Sequence, residues 1–263
     1  MNFLPIYRRE LKTYFQSPST YIVMALLFLV LGMIYSQIMV LFSNMSAQAG
    51  MPNMFGQTPP EPNVTEMVIR SLFQIMIALI LFTVPLLSMR LVAEEKSRGT
   101  FELLVTCPIS DWAILMGKYL ALVTVGVIVI LLSGLFPVIT WWAGRGSEVV
   151  IEWPIVLSCW LGLLLIFAAY AAFGVMASSF SENQITAGVI TLIGLIMWNM
   201  LASFQIESFP RIQQIFTELA AEPHTTNFVK GLLTTKDVAF YFLASFLFLF
   251  IASKTLDARR WRV

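Results

Sequence analysis

The sequence predicts an all-α integral membrane protein that crosses the bilayer six times. Hydrophobic residues make up 58% of the 263 positions and charged residues only 12%, whereas a soluble domain carries about 25% charged residues. The mean hydropathy is +0.81. Six predominantly apolar stretches have the length of about 20 residues that a helix needs to cross a hydrocarbon core of about 30 Å. A water-soluble fold would expose much of this apolar surface, so we place the chain in a bilayer.

Each predicted span is a long apolar stretch bounded by polar residues or proline. The six spans run from Thr20 to Phe42, from Met67 to Met89, from Trp112 to Trp142, from Trp153 to Ser178, from Gln184 to Gln205 and from Val238 to Lys254. The third span is long enough to tilt or to extend beyond the bilayer, and either Ser110 or Asp111 is expected to cap it. No connecting segment is long enough for a separate soluble domain, so residues 1–263 are predicted to form one transmembrane domain.

The distribution of Lys and Arg predicts the orientation of the chain. Six spans place both termini on the same side of the membrane, and that side carries eleven of the sixteen Lys and Arg residues. Cytoplasmic segments carry an excess of these residues. We therefore expect a multi-pass protein of the plasma (bacterial inner) membrane with both termini in the cytoplasm. Residues 43–66 are then outside, where their Pro, Gly and Asn content predicts a flexible surface loop.

Charge, cysteine and histidine content exclude several classes of function. The net charge of +1 does not favour nucleic acid as a partner. The two cysteines, Cys107 and Cys159, form neither a disulfide framework nor a zinc motif. The single histidine, His224, cannot form a multi-histidine metal centre, and we expect it to be structural, in a Pro-His turn just outside the membrane. We expect no metal site in this chain.

Residues 1–19 are predicted to form an interfacial helix before the first span. One face is apolar and the other is basic, at helical spacing. The apolar positions are Leu4, Tyr7, Leu11, Tyr14 and Phe15, and the polar positions are Arg8, Arg9, Lys12 and Gln16. Pro18 ends the helix and turns the chain into the bilayer. Two interpretations stay open: a juxtamembrane anchor whose basic face meets anionic membrane lipid, or an elbow helix that also braces a cytoplasmic partner.

The extracytoplasmic segment before span 6, residues 206–237, is predicted to contain an amphipathic helix. Its apolar positions at helical spacing are Phe209, Ile212, Phe216 and Leu219. Pro210 suits the first turn of a helix. This helix either lies on the outer leaflet or is an ordinary surface helix.

The loop between spans 2 and 3, residues 90–111, combines high charge with a short apolar helix. Its charged residues after span 2 are Glu94, Glu95, Lys96, Arg98, Glu102 and Asp111. Gly99 interrupts the helix that continues from span 2. Thr100 is placed to cap a new helix, and Pro108 ends that helix. The apolar residues of this helix are Phe101, Leu103, Leu104 and Val105. It is too apolar for a solvated turn, so we expect a partner to bury it; the alternative is a solvated connector.

The order of short motifs in this loop resembles the coupling loop of ABC-2 type transporter permeases. The matching motifs are Glu-Glu-Lys at 94–96, Gly-Thr at 99–100, Glu-Leu-Leu at 102–104, Thr-x-Pro-Ile at 106–109 and Gly-Lys-Tyr-Leu at 117–120. The wider layout, from the interfacial helix to the outer segment before span 6, resembles that family over nearly the whole chain. Residues 224–242 are similar to the region before the last span in the gliding-motility and nitrous-oxide-reductase-maturation branch.

The resemblance implies that the loop is a cytoplasmic coupling helix seated in a groove of a nucleotide-binding subunit. It implies two copies of that ABC ATPase subunit, which bind ATP and Mg, and a second permease that is identical or homologous. The branch also implies an extracytoplasmic auxiliary subunit. The residues expected to contact or shape the ATPase interface are Glu94, Glu95, Lys96, Arg98, Gly99, Thr100, Phe101, Glu102, Leu103, Leu104 and Pro108. The interfacial-helix residues expected to support it are Tyr7, Arg8, Arg9, Leu11 and Lys12.

Motifs for ATP hydrolysis and for membrane enzymes are absent from the sequence. A phosphate-binding loop has the form G-x-x-x-x-G-K-[ST]. The single Gly-Lys pair, Gly117–Lys118, has Trp112 where that motif needs its first glycine, and Tyr119 follows the lysine. There is no G-x-S-x-G and no H-E-x-x-H. We therefore expect a non-catalytic subunit with no cofactor of its own, and ATP hydrolysis in another chain.

These observations favour a permease that couples ATP hydrolysis in a separate subunit to substrate movement, with export as the expected direction. One alternative is a membrane anchor that transmits ATPase motion to an extracytoplasmic machine, and another is an ATP-independent carrier. A carrier usually has carboxylates within its spans, whereas those of this chain are predicted at or beyond span ends. Candidate pathway residues are Gln74, Thr83, Asn199 and Gln205, and each could equally form an interhelical hydrogen bond.

Overall fold

A computed structural model describes residues 3–49, 63–97, 99, 110–145, 151–204 and 210–260. Within these ranges, six helical segments are long and apolar enough to cross a membrane. The six spans are Pro18–Ala49, Thr65–Ser97, Asp111–Ala143, Trp153–Phe180, Gln184–Ser203 and Thr235–Ala258. The predicted all-α membrane fold with six spans is therefore confirmed.

We number the α-helices in chain order. They are α1 (Leu4–Gln16), α2 (Pro18–Ala49), α3 (Arg70–Ser88), α4 (Ala93–Ser97), α5 (Asp111–Ser133), α6 (Leu135–Ala143), α7 (Trp153–Phe180), α8 (Gln184–Met200), α9 (Pro210–Leu219), α10 (Ala221–Val229) and α11 (Thr235–Arg260). A π-helical turn, Thr65–Ile69, precedes α3, and a 3-10 turn, Leu201–Ser203, follows α8. Span 2 thus ends in the short helix α4, and span 3 consists of α5 and α6.

Span 4 lies at the centre of the bundle. In its most apolar stretch 61% of the residues are buried, compared with 11% in span 1 and 17% in spans 5 and 6. Ala169, Ala171 and Ala172 are fully buried, and such small side chains allow neighbouring helices to approach closely. Spans 1, 5 and 6 have few buried residues, and many of their apolar side chains are exposed to lipid or to another subunit.

Span 1 is longer than predicted, because α2 continues to Ala49 instead of ending at Phe42. Residues 43–49 include Met, Gln and Ala, which favour helix, and contain no Gly or Pro. The prediction that residues 43–66 form a loop is therefore wrong for 43–49, and wrong again for 64–66, where span 2 begins. Residues 50–62 lie outside the described part of the chain.

The long third span is divided between two helices. α5 ends at Ser133 and α6 begins at Leu135. Pro137 explains the break, because it has no N–H group to donate to the carbonyl oxygen of Ser133 in a continuous helix. At the other end Ser110 is the cap: its hydroxyl accepts a hydrogen bond from the backbone N–H of Ala113 at 3.4 Å.

Two helices, α9 and α10, lie in the described part of the segment before span 6. Pro210 begins α9 as predicted, and Ile212 and Leu219 on that helix are exposed. The predicted Pro-His turn at His224 is wrong, because both residues belong to α10. Pro223 is tolerated there since it lies in the first turn, where backbone N–H groups have no partner within the helix.

Candidate functional site

Helix α1 lies against span 3 on the side of the bundle that carries both termini, which we call the terminal face. Gly117 of α5 permits this close approach. A Cβ atom at Gly117 would lie 2.9 Å from Cγ2 of Ile6 and 3.2 Å from the backbone oxygen of Phe3. Two turns further along α5, the hydroxyl oxygen of Thr124 lies 3.0 Å from that of Tyr7. Gly117 is therefore a packing position that seats α1 on the bundle.

The buried face of α1 is rotated relative to the prediction. Ile6, Glu10 and Tyr14 are buried, whereas Leu4 and Phe15 are 46% and 40% exposed. Glu10 faces inward because its carboxylate meets a buried cation of span 3. Five residues of α1 were expected to support the ATPase interface. Two of them are half-buried, Tyr7 and Leu11, and three are exposed, Arg8, Arg9 and Lys12.

Four charged side chains from α1, span 2 and span 3 meet at the terminal face. We call Arg9, Glu10, Glu95 and Lys118 the charge cluster. The Nζ atom of Lys118 donates to Oε1 of Glu10 at 3.0 Å and lies 2.9 Å from Oε2 of Glu95. The Nη2 atom of Arg9 lies 2.8 Å from Oε1 of Glu10 and 2.5 Å from Oε1 of Glu95. The cluster links the end of span 2 to both neighbouring elements.

Burial of Lys118 makes the ion pairs of the charge cluster costly to separate. Lys118 is only 1% exposed, so carboxylates rather than water stabilise its charge. Burial by itself raises the pKa of the Glu10 carboxyl, but Lys118 and Arg9 outweigh that effect and hold this pKa below its usual range. Removing one partner from a buried ion pair costs about 3–5 kcal/mol. Separating Glu95 from Lys118 is therefore expensive.

The end of span 2 is also capped by span 4. After α3 the chain turns at residues 89–92 and then enters α4. The Oγ atom of Ser178 in α7 accepts hydrogen bonds from the backbone N–H groups of Val92 at 3.1 Å and Ala93 at 3.0 Å. A side-chain hydroxyl in this position satisfies N–H groups that have no partner within a helix. The two spans can approach because Gly174 has no Cβ, which would lie 2.3 Å from Oγ of Ser88.

Lys96 forms a second contact between α4 and span 4. Its Nζ atom donates to the backbone carbonyl oxygens of Ser179 and, at 3.4 Å, Ser181. These carbonyls lie at the C-terminal end of α7, where the helix dipole favours a cation. Glu95 and Lys96 therefore both point into the bundle, toward span 3 and span 4.

The predicted ATPase-coupling residues fall partly within the described part of the chain. Glu94 is half-buried at the terminal face. Gly99 is exposed and has a φ of +70°, a left-handed conformation that favours glycine. The remaining predicted residues, Arg98, Thr100, Phe101, Glu102, Leu103, Leu104 and Pro108, lie outside the described residues. Their contact with an ATPase stays a prediction.

The candidate pathway residues have separate surroundings. Gln74 is exposed on α3, and Thr83 donates to a carbonyl oxygen of its own helix at 2.8 Å. Asn199 accepts a hydrogen bond from the Tyr170 hydroxyl at 2.8 Å, which joins spans 5 and 4. Gln205 lies outside the described residues. For Asn199 the structure shows the interhelical hydrogen bond that was the alternative to substrate contact.

A buried polar cluster on the opposite face holds α10 to span 6. The Nδ1 atom of His224 lies 2.5 Å from Oδ1 of Asp237, and its Nε2 atom lies 3.1 Å from the backbone oxygen of Glu218. Asn227 and Thr234 donate to Oδ2 of Asp237 at 3.0 Å and 2.5 Å. His224 thus has a structural role, although its acidic partner lies 13 positions away in the sequence.

Sequence reasoning missed Glu10, Lys118 and Ser178. A signal existed for Lys118, because a charged residue within an apolar span marks a functional site. Nothing local identifies Glu10 or Ser178, since their partners lie 108 and 85 or more positions away. The structure adds these three residues to Glu95 and Lys96, which the sequence had already placed in the predicted site.

Comparison with known families places the chain. A sequence profile of ABC-2 family transporter proteins matches residues 4–252. This chain belongs to the ABC-2 transporter family. The match covers α1, the loop after span 2 and about three quarters of span 6, so it includes every residue of the candidate site. No curated protein matches the chain.

Membership of the ABC-2 family establishes the class of protein. The ABC-2 chain is a multi-pass transmembrane permease of an ABC transporter, and such permeases are generally non-catalytic membrane subunits that associate with an ABC ATPase. The match does not support the narrower placement in the gliding-motility and nitrous-oxide-reductase-maturation branch. The placement in that branch therefore stays a prediction, which depends on the similarity at residues 224–242.

Proposed function

We propose that this ABC-2 protein is the permease subunit of an ATP-driven exporter, in which the loop after α4 receives the movement of a separate ATPase. The observation that carries the proposal is the anchoring of the residues just before that loop. Glu95 is bound to Lys118 of span 3 and Arg9 of α1, and Lys96 is bound to the end of span 4. A displacement of α4 therefore acts on α1, span 3 and span 4 together.

Within the loop, Phe101 and Leu103 are the proposed anchors in a groove of the ATPase. Large side chains buried at the centre of an interface dominate its binding energy. Gly99 supports this arrangement, because its left-handed backbone redirects the chain directly after the anchored helix α4. Glu95 and Lys96 then shape the interface from within the bundle, and Glu94 and Arg98 flank it.

The proposed assembly contains two ATPase subunits, which bind ATP and Mg, and a second permease that is identical or homologous. The excess of Lys and Arg on the terminal face supports a cytoplasmic location for that face in a plasma (bacterial inner) membrane. The outward apolar side chains of spans 1 and 5 support a partner within the membrane, because so little of either span is buried in this chain. Spans 2 and 5 would then open and close the path between the two permeases.

A second candidate function is the transmission of ATPase movement to an extracytoplasmic auxiliary subunit. The buried contacts of Asp237 with His224 and Asn227 favour it, because they fasten α10 to the start of span 6. Any movement of span 6 would carry α10 with it. Transport and force transmission share the ATPase and differ only in what moves on the outer side. An ATP-independent carrier is the remaining alternative.

The experiment is purification of the ABC-2 protein from its own membranes, followed by reconstitution in vesicles. We expect an ATPase with a G-x-x-x-x-G-K-[ST] loop to co-purify in a one-to-one ratio, and we expect ATP to drive substrate accumulation. ATP hydrolysis without any substrate movement would favour force transmission. Substrate movement without the ATPase, or ATP hydrolysis by the isolated chain, would contradict both.

A further inference from the structure

A cavity of about 730 Å³ opens at the terminal face, between α1, the first turns of span 1 and the end of span 2. It is polar on one side and apolar on the other. The polar side includes Ser17, Ser19 and Arg90, and the apolar side includes Ile22, Val23 and Leu86. Its volume falls within the range of about 300–1,000 Å³ that is typical of ligand sites.

Among the described residues, Arg90 is the cation of this cavity that has no carboxylate partner. Its Nη1 atom donates to the hydroxyl oxygens of Ser17 at 3.1 Å and Ser19 at 2.5 Å. Within the described residues Arg90 forms no ion pair, whereas the charge cluster beside it contains two cations and two carboxylates. The serine hydroxyls hold the guanidinium in place and leave its other N–H groups to donate elsewhere. A planar guanidinium held this way is suited to a phosphate oxygen pair.

The charge of the remaining lining limits what the cavity accepts. The charge cluster and Glu94 also line it. The two cations and two carboxylates of the cluster pair with one another, and the Glu94 carboxylate repels a headgroup with several negative charges. One cation with no carboxylate partner matches one phosphodiester. A polyphosphorylated headgroup is therefore disfavoured.

The apolar side connects the cavity to the membrane. Ile22 and Leu86 line it and are 66% and 46% exposed, and Leu26, one turn beyond Ile22, is 63% exposed. These residues belong to spans 1 and 2, so their exposed side chains face lipid. An acyl chain placed against Ile22 continues along Leu26 without leaving an apolar surface. A free phosphate ion would leave this side of the cavity unused.

We propose that this cavity binds one glycerophospholipid of the leaflet at the terminal face, with its phosphodiester on Arg90, Ser17 and Ser19 and an acyl chain against Ile22 and Leu86. Basic pockets between transmembrane helices on that side of a membrane bind lipid headgroups in this way. The four residues of the charge cluster line the same cavity, so the bound lipid braces α1 against span 2. The inference needs only the position of the cavity in a bilayer and does not depend on the proposed ATPase.

Photolabelling tests the proposal. The purified chain is placed in nanodiscs that contain phosphatidylglycerol with a diazirine on one acyl chain, and the labelled peptides are mapped. We expect labelling concentrated in residues 17–26 and 86–91. Labelling spread evenly over the outward faces of spans 1, 5 and 6 would overturn the proposal.

Variants separate the phosphate contact from general attraction to the membrane. Arg90→Gln should weaken retention of phosphatidylglycerol in native mass spectrometry about tenfold or more, as expected for the loss of one charge-assisted partner. Arg8→Gln, an exposed cation of α1 outside the cavity, should leave retention unchanged. Equal effects of the two variants would overturn the proposal.

A substitute variant and a competition experiment complete the test. If Arg90→Gln does not fold, the Ser17→Ala/Ser19→Ala double variant replaces it, and the wild-type peptide map still stands. Inorganic phosphate is added as a competitor at the same concentration as a short-chain phosphatidylglycerol. Displacement of the label by the short-chain lipid alone supports a lipid site, and equal displacement by phosphate would show a free-anion site and overturn the proposal.

Discussion

Lys118, within span 3, lies 2.9 Å from the carboxylate of Glu95, at the point where the chain leaves span 2. The lysine is buried, so this ion pair is shielded from the solvent and salt that weaken surface pairs. The pair joins the segment that precedes the proposed coupling loop to the interior of the bundle. Movement of that segment is therefore expected to reach span 3 through this ion pair.

Replacement of Lys118 by methionine should destabilise the bundle strongly. The variant keeps the length of the side chain but leaves the buried Glu10 and the half-buried Glu95 with Arg9 as their remaining cation in the cluster. We expect the free energy of unfolding to fall by about 3–5 kcal/mol. Thermal unfolding in detergent measures the effect.

Lys12→Met is the control, because Lys12 is an exposed cation of α1, and surface changes usually alter stability by less than about 0.5 kcal/mol. The double variant Glu10→Gln/Lys118→Met should recover part of the loss, since it removes one of the uncompensated carboxylates. Equal stability of Lys118→Met and Lys12→Met would show that the cluster contributes nothing.

Replacement of Gly174 by alanine should force spans 2 and 4 apart. The added Cβ would lie 2.3 Å from Oγ of Ser88, and overpacking of this kind costs about 1–3 kcal/mol. Gly32→Ala is the matched control within span 1, because a Cβ there meets nothing within 4 Å and should be neutral or stabilising by up to about 1 kcal/mol. The two melting temperatures, measured in the same detergent, should move in opposite directions or differ by several degrees. A Gly174→Ala protein as stable as Gly32→Ala would contradict the close crossing of the two spans.

Replacement of Ser178 by alanine should loosen α4 without unfolding the bundle. The variant removes the acceptor for the N–H groups of Val92 and Ala93, and loss of such a cap costs about 1 kcal/mol. Hydrogen exchange at residues 92–97 should accelerate severalfold. Ser253→Ala is the control, because the Ser253 hydroxyl donates only to Phe250 of its own helix among the described residues. Unchanged exchange at residues 92–97 would show that span 4 does not hold α4.

The stabilising effect of Glu10 should depend on pH. Its pKa in the folded protein lies below its ordinary value of 4.5, so its contribution is fully present above that pH and is lost as the pH falls through the folded-state pKa. The difference in melting temperature between wild type and Glu10→Gln should therefore be constant near neutral pH and should shrink below about pH 4.5. A difference that grew on acidification would contradict the direction of this shift.

The spans were predictable because their signal is local. Length and apolar composition identify a transmembrane helix from its own residues, and five of the six predicted spans agree with the structure to within a few residues at either end, apart from the added helix α4. Span 1 differs because the apolar run ends at Phe42, whereas the residues that follow favour helix and continue it to Ala49. Apolar composition and helical conformation end at different residues there.

The site was less predictable because its contacts join distant parts of the chain. The apolar spacing of α1 predicted a face that includes Leu4 and Phe15, but the helix is rotated so that Glu10 meets Lys118. Likewise, the residues around His224 did not indicate Asp237 as its partner. The two side chains are in contact only because α10 packs against span 6. Pairings of this kind require the packed bundle.

The most direct test of the central claim is the capture of the ATPase by a variant of the coupling loop. In the complex purified through a tag on this chain, Leu103→Asp should lose the ATPase while the chain still inserts and assembles with its partner permease. Glu148→Ala, in the segment between spans 3 and 4, should retain the ATPase at the wild-type ratio and activity. If Leu103→Asp also retains the ATPase at the wild-type ratio and activity, the loop is a solvated connector and the proposed coupling mechanism is wrong.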